Sequence, residues 1–192
     1  MAELLTLAFA AIFIENVVLT KFLGMCPLLG VSKKLDSAIG MGLAVIFVIF
    51  GSSVLTWSVY EFILDTELNL QYMDLLVFIL IIAAFVQFVE MFIKKASPAL
   101  YKSLGIYLPL ITTNCVVLFV ALENIAQGFN FAQMLVYSLA VPTGFMMILV
   151  IFSSIRERLE SSETPKAFAG APIALITLAI MSLAFSGLAG II

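Results

Sequence analysis

Four stretches without a single Asp, Glu, Lys or Arg, at residues 37–60, 103–122, 124–155 and 167–192, constrain this chain more than anything else in it. A helix needs about 20 consecutive apolar residues to cross a hydrocarbon layer of about 30 Å, and each stretch supplies them. The chain is 64% hydrophobic and 11% charged, against about 45–50% and about 25% in soluble domains. A globule of this size can bury a core but cannot cover its surface with so few polar groups. Two weaker runs complete the pattern: 75–89 extends naturally from Tyr72 to Ile93, and 4–14 continues through Glu15 and Lys21 toward Gly24. Helices are therefore predicted near 3–24, 38–60, 72–94, 100–122, 132–153 and 171–191. This describes an all-α integral membrane protein with six transmembrane helices in a single transmembrane domain, residues 1–192. Glu3 and the lack of a basic n-region argue against a cleavable signal peptide, so the first run is expected to remain.

The basic residues orient the spans. Lys33 and Lys34 fall in the first loop, Lys94, Lys95 and Lys102 in the third, and Arg156, Arg158 and Lys166 in the fifth. The second loop carries Glu61, Asp65, Glu67 and Asp74 without a cation, and the fourth only Glu123. Positive loops favour the cytoplasm, which leaves both termini outside.

The two halves, roughly 1–95 and 98–192, each contain three spans. Three is odd, so the second half enters from the opposite side, as an inverted repeat. "NVVL" at 16–19 and "CVVL" at 115–118 are alike only locally. Inverted repeats place functional sites on discontinuous helices marked by Gly or Pro. The first span of each half has such marks: Gly24, Pro27 and Gly30 in one, Gly105 and Pro109 in the other. Helices 1 and 4 are thus expected to be broken, with non-helical backbone around Pro27 and Pro109. Thr112, Thr113 and Asn114 are placed to satisfy the freed backbone groups.

Each broken span also holds one of the two cysteines, Cys26 and Cys115. Both could be small apolar fillers. A disulfide has no support from the setting, and no CxxC spacing suggests a redox motif. Thiolates also bind zinc or iron–sulfur clusters, which usually take four ligands, so a metal here would need a second, similar subunit. Histidine is absent, which excludes histidine-ligated haem, histidine-rich zinc sites and a histidine proton switch. A net charge of −3 leaves no basic patch for nucleic acid. No GxGxxG fingerprint is present to bind a nicotinamide cofactor. Among ionisable residues inside spans, Glu90 and Lys94 have the i, i+4 spacing of an interfacial pair. Glu15 lies deeper, where a carboxylate is a candidate for ion passage. The "RERLE" segment at 156–160 reads as a solvated cytoplasmic edge that docks a soluble subunit.

"FLGMCPLLGVSKKLDSAIGMG", "VQFVEMFIKKASPALYKSLGIYLPLITTNCVVL", "SSIRERLE" and "IALITLAIMSLAFSG" together resemble the RnfA/NqrE family, membrane subunits of Rnf and Nqr ion-translocating electron transport complexes. The likeness runs nearly end to end. The "CPLLGVSKK" and "SSIRERLE" segments are closer to the Rnf branch than to NqrE of the sodium-pumping NADH:quinone reductase. The resemblance implies a membrane subunit of a ferredoxin:NAD+ oxidoreductase coupled to Na+ or H+ translocation, in a bacterial or archaeal cytoplasmic (inner) membrane. It implies RnfB, RnfC, RnfD, RnfE and RnfG as partners, with RnfE facing this chain in the opposite topology. The two would share a [2Fe-2S] cluster, this chain supplying Cys26 and Cys115. Gly24 and Pro109 would then shape the ligand loops, and Thr112, Thr113 and Asn114 would either donate to the ligand sulfurs or simply repair the backbone. A stand-alone secondary transporter or a structural scaffold would instead be indifferent to both cysteines.

Overall fold

Helix is the only regular structure among the described residues of the computed structural model, which are 2–32, 35–62, 74–96, 110–111, 114–161 and 170–187. In chain order these are α1 (Ala2–Phe9), running into a π-turn at Ala10–Ile14, then α2 (Val17–Thr20) and α3 (Met25–Val31). There follow α4 (Leu35–Val59), α5 (Asp74–Ala96), α6 (Cys115–Ala126), α7 (Phe131–Glu160) and α8 (Ala171–Ser186). The segments 35–62 and 131–160, of 28 and 30 residues, are each long and apolar enough to cross a membrane.

The α4–α7 pair forms the centre. α6 packs on α4, α1 and its π-turn pack on α7, α5 lies against α4 and α6, and α8 against α2. Phe78, Phe145, Phe152, Met41 and Ile49 are fully buried between these helices. Leu43, Phe47, Leu80, Phe88, Ile180 and Leu183 point outward. Apolar side chains on both faces of a helix fit a hydrocarbon surrounding rather than water. Two buried hydroxyls turn back on their own helix: Ser52 donates to the Ile49 carbonyl and Thr56 to that of Ser52. Such local bonds satisfy polar groups where water is absent.

The predicted helices are found with shifted ends. The 132–153 helix extends over 131–160, so the "RERLE" residues continue α7 instead of forming a loop. Pro142 lies inside α7 without ending it. The Thr143 hydroxyl donates to the Leu139 carbonyl at 2.6 Å and the Ser138 hydroxyl to that of Leu135 at 3.1 Å, beside the turn that proline interrupts. The expected first span, 3–24, is interrupted twice, at 15–16 and at 21–24. Of the expected fourth span, 100–122, residues 100–109, 112 and 113 lie outside the described residues. Leu110 and Ile111 are helical, Asn114 is not, and α6 begins at Cys115 and ends at Ala126.

Candidate functional site

The first break begins where the π-turn ends. Glu15 leaves the helix with its N–H on the Ala10 carbonyl, and Asn16 adopts φ −59°, ψ 115° as the N-cap of α2. The Asn16 side chain works in both directions: Oδ1 accepts from the Val18 N–H at 3.1 Å and Nδ2 donates to the Ile12 carbonyl at 3.0 Å. An N-cap side chain satisfies a donor that the first helical turn leaves unpaired. The Thr20 hydroxyl donates to the Asn16 carbonyl, and the Ser182 hydroxyl of α8 to that of Leu19 at 2.7 Å. α7 presses against this turn through Gly144, where a Cβ would stand 3.0 Å from Asn16 Nδ2 and 3.1 Å from the Ile12 oxygen. At about 1.5 Å per residue, residues 2–14 climb roughly 20 Å. Inside a bilayer, irregular backbone persists only with protein partners, and both breaks have them.

The second break runs from Lys21 to Gly24. Phe22 has φ 53° and Gly24 φ 80°, left-handed values that favour glycine. A Cβ at Gly24 would lie 2.6 Å from Phe145 Cε2 and 2.8 Å from Val116 Cγ2, so space as well as angle demands glycine here. The turn aims the Gly24 N–H at Cys115 Sγ, 3.0 Å away and 91 residues on in the chain. Two residues after Gly24, Cys26 stands in the first turn of α3. Cys115 is the first residue of α6, whose N-cap, Asn114, has φ −72°, ψ 115° and accepts from the Val116 N–H at 3.1 Å. A helix N-terminus favours negative charge on an atom placed there. Both cysteines are free thiols exposed at the surface of the chain.

This arrangement corrects one expectation. The break lies ahead of Cys26, and Pro27 is a buried residue in the first turn of α3. Proline is tolerated in a first turn because the N–H it lacks would have had no helical acceptor. Gly24 makes the break, through its left-handed angles. Pro109, Thr112 and Thr113 lie outside the described residues. Asn114 caps α6 with Oδ1, while its Nδ2 is buried with no partner among the described residues. Glu15 sits at the first break with its side chain exposed, and Glu90 and Lys94 stand one turn apart on α5, half-buried and exposed respectively.

Three contacts were not anticipated from the sequence. Arg156 donates from Nη1 to the Leu29 carbonyl and the Ser32 hydroxyl, both at 2.8 Å, and so holds the C-terminal end of the helix that carries Cys26. The "RERLE" segment therefore begins with a brace for the site. Ser182 tethers α8 to the first break. Lys21, at the second break, places Nζ 4.4 Å from the centroid of the Phe119 ring. A cation–π contact is worth about 0.5–2 kcal/mol, less than the about 2.5–3.5 kcal/mol that a lysine costs deep in a span. A basic residue interrupting an apolar run was the signal that could have singled out Lys21.

The donor set fits a shared metal cluster. Two exposed thiols from separate halves of the chain flank one turn: Cys26 follows Gly24 by two residues, and Cys115 receives the Gly24 N–H on its sulfur. Hydrogen bonds to cluster sulfurs tune their potential. No group of three or more His, Cys, Asp or Glu able to hold a metal occurs among the described residues.

Residues 4–192 match the model of the family described as Rnf-Nqr subunit, membrane protein. The chain is 53% identical over 191 residues to the A component of the ion-translocating oxidoreductase complex of Azoarcus sp. (strain BH72), covering 100% of this chain and 98% of that one. The components of the same name from Serratia proteamaculans (strain 568) and Yersinia enterocolitica serotype O:8 / biotype 1B are each 53% identical over 192 residues, covering 100% of this chain and 99% of theirs. With a family match spanning nearly every residue and relatives this similar from end to end, the chain belongs to the Rnf-Nqr family of membrane subunits.

Proposed function

We propose that this chain is the RnfA component of an Rnf-type ion-translocating oxidoreductase and relays electrons across the membrane through a [2Fe-2S] cluster shared with the homologous RnfE. The observation that carries this reading is the 3.0 Å contact from the Gly24 N–H to Cys115 Sγ, which ties the two thiol-bearing segments together on an exposed face. In this reading Cys26 and Cys115 supply two thiolates and the facing RnfE supplies two more. When bound, the cluster offers a one-electron carrier site within a layer of about 30 Å. The chain's own residues hold and shape that site. Gly24 donates its N–H to the Cys115 sulfur, Asn114 fixes the start of α6, and Arg156 with Ser32 closes the far end of α3.

The remaining assignments belong to the same proposal. The chain has six spans arranged as two inverted repeats with both termini outside the cytoplasmic membrane, and RnfB, RnfC, RnfD and RnfG are its further partners. The equal capping of α2 by Asn16 and α6 by Asn114 supports the repeat. The bonded breaks, with serine and asparagine in place of water, support a membrane-embedded site.

The test is the complete membrane complex with Cys26→Ser or Cys115→Ser. Each variant should insert normally, lose the iron of this site and its electron paramagnetic resonance signal, and stop transmembrane electron transfer. Full iron and unimpaired electron flow in Cys115→Ser would sink the proposal. Intact electron flow with loss of ion pumping alone would favour a transporter instead.

A further inference from the structure

The side chains of Lys21, Cys26 and Cys115 are all exposed. The Lys21 backbone belongs to the 21–24 break, whose last residue donates to Cys115 Sγ. Its ammonium rests over the ring of Phe119, which stands one helical turn beyond Cys115 on α6. Backbone and side chain thus tie Lys21 by two routes to the start of α6, where Cys115 stands. Glu15, at the other end of α2, makes no ion pair with Lys21, and neither does any other carboxylate among the described residues. The cation thus has no carboxylate partner among these residues.

We propose that Lys21 is the charge-balancing cation of this site, a positioning residue that favours the reduced form of the group Cys26 and Cys115 would hold. This rests on the reading under Proposed function. Two ferric ions, two sulfides and four thiolates carry a net negative charge, and one electron from an upstream iron–sulfur or flavin carrier makes it one unit more negative. No bond forms or breaks, and no proton moves. A nearby cation favours the more negative form, in a low-dielectric setting that screens little. Lys21 therefore raises the reduction potential of the site. A purely structural Lys21, seated on Phe119 to fix the break, would leave the potential unmoved when its packing is preserved.

The experiment uses the whole complex with Lys21→Met, which keeps an apolar stem against Phe119, and Lys21→Arg, which keeps the charge. Iron content and a dithionite titration followed by electron paramagnetic resonance are read together. Lys21→Met should retain its iron, while the reduced-to-oxidised ratio at a fixed ambient potential falls about tenfold, a shift of about 59 mV for one electron. Lys21→Arg should restore the ratio to within about twofold of the wild-type complex. An unmoved titration in iron-replete Lys21→Met overturns the inference. Should Lys21→Met fail to accumulate, Lys21→Gln is titrated with the same expectation and the same overturning result. If both neutral variants lose iron while Lys21→Arg keeps it, a cation is required for the thiolates to bind, which supports the inference. Loss of iron in Lys21→Arg as well overturns it. A wild-type complex without a two-iron signal, by contrast, sinks the parent reading and is distinguishable from all of these.

Discussion

The breaks at Asn16 and Asn114 share their backbone angles and their cap: in each, Oδ1 accepts at 3.1 Å from the N–H two residues on. They differ in the next residue and in their surroundings. Asn114 precedes Cys115, which faces outward, while Asn16 precedes Val17, which is buried. Asn16 also commits its amide N–H to the Ile12 carbonyl, whereas Asn114 Nδ2 has no partner among the described residues. The first half therefore uses its asparagine to stabilise backbone and delivers its thiol ten residues later, at Cys26, through a second break made by Gly24. One structural device, repeated, can serve the fold in one place and present a ligand in the other. That also explains why "NVVL" and "CVVL" look out of register: aligned on their asparagines, "NVVL" and "NCVVL" differ by the inserted thiol.

Substitutions can break this comparison, and the largest effect is expected at Gly24, where the two halves touch. Gly24→Ala meets both a left-handed φ and two side chains within 2.8 Å, and should cost about 2–5 kcal/mol in detergent unfolding of the complex. A cost under about 1 kcal/mol would show that the turn can move, and that the sulfur contact is not fixed by it. Next come the two asparagines. Losing a cap costs about 1 kcal/mol, and stranding the Ile12 carbonyl adds about 1–3 kcal/mol. Asn16→Ala should therefore lower stability more than Asn114→Ala, and only the latter should perturb the resonance signal of the thiol site. The reverse order would mean that the two caps do not divide fold and ligand between them.

Ser182→Ala removes the hydroxyl that α8 lends to Leu19. It should cost about 1 kcal/mol and leave the Cys115 environment unchanged, as judged by thiol accessibility in the complex. The smallest effect is expected at Gly30. A Cβ there would meet nothing nearer than Leu110 Cδ1 at 3.6 Å, and replacing a helical glycine by alanine gains about 0.5–1 kcal/mol. Gly30→Ala should thus be neutral to mildly stabilising, in direct contrast to Gly24→Ala six residues earlier. Equal destabilisation by both would remove glycine's special role at the break.

Much of the architecture was legible in the sequence because it rests on local signals. Charge-free runs of about 20 residues specify helices in hydrocarbon whatever their neighbours, so α4, α7 and α8 lie near their expected places. The candidate site was legible as two thiols on two discontinuous segments. The position of the discontinuity was hidden. Proline is the loudest breaker in "GMCPLLG", but its effect depends on whether its missing N–H would have had an acceptor, and in the first turn of α3 it would not. In the linear chain Lys21 is one residue of a span and Arg156 one of a loop, since the partners that give them meaning are distant.

Sequence alone determined the apolar surroundings, the all-helical class and the count of two thiols and no histidine, because composition does not depend on folding. Tertiary structure alone decided where the first span breaks, that α7 runs unbroken through Pro142 to Glu160, that Arg156 closes the end of α3, and that the Gly24 N–H meets the Cys115 sulfur. The physical reason is that a backbone group freed inside a membrane must find a partner. Which residue supplies that partner, 91 positions away at Cys115 or 163 away at Ser182, is settled only when the helices pack.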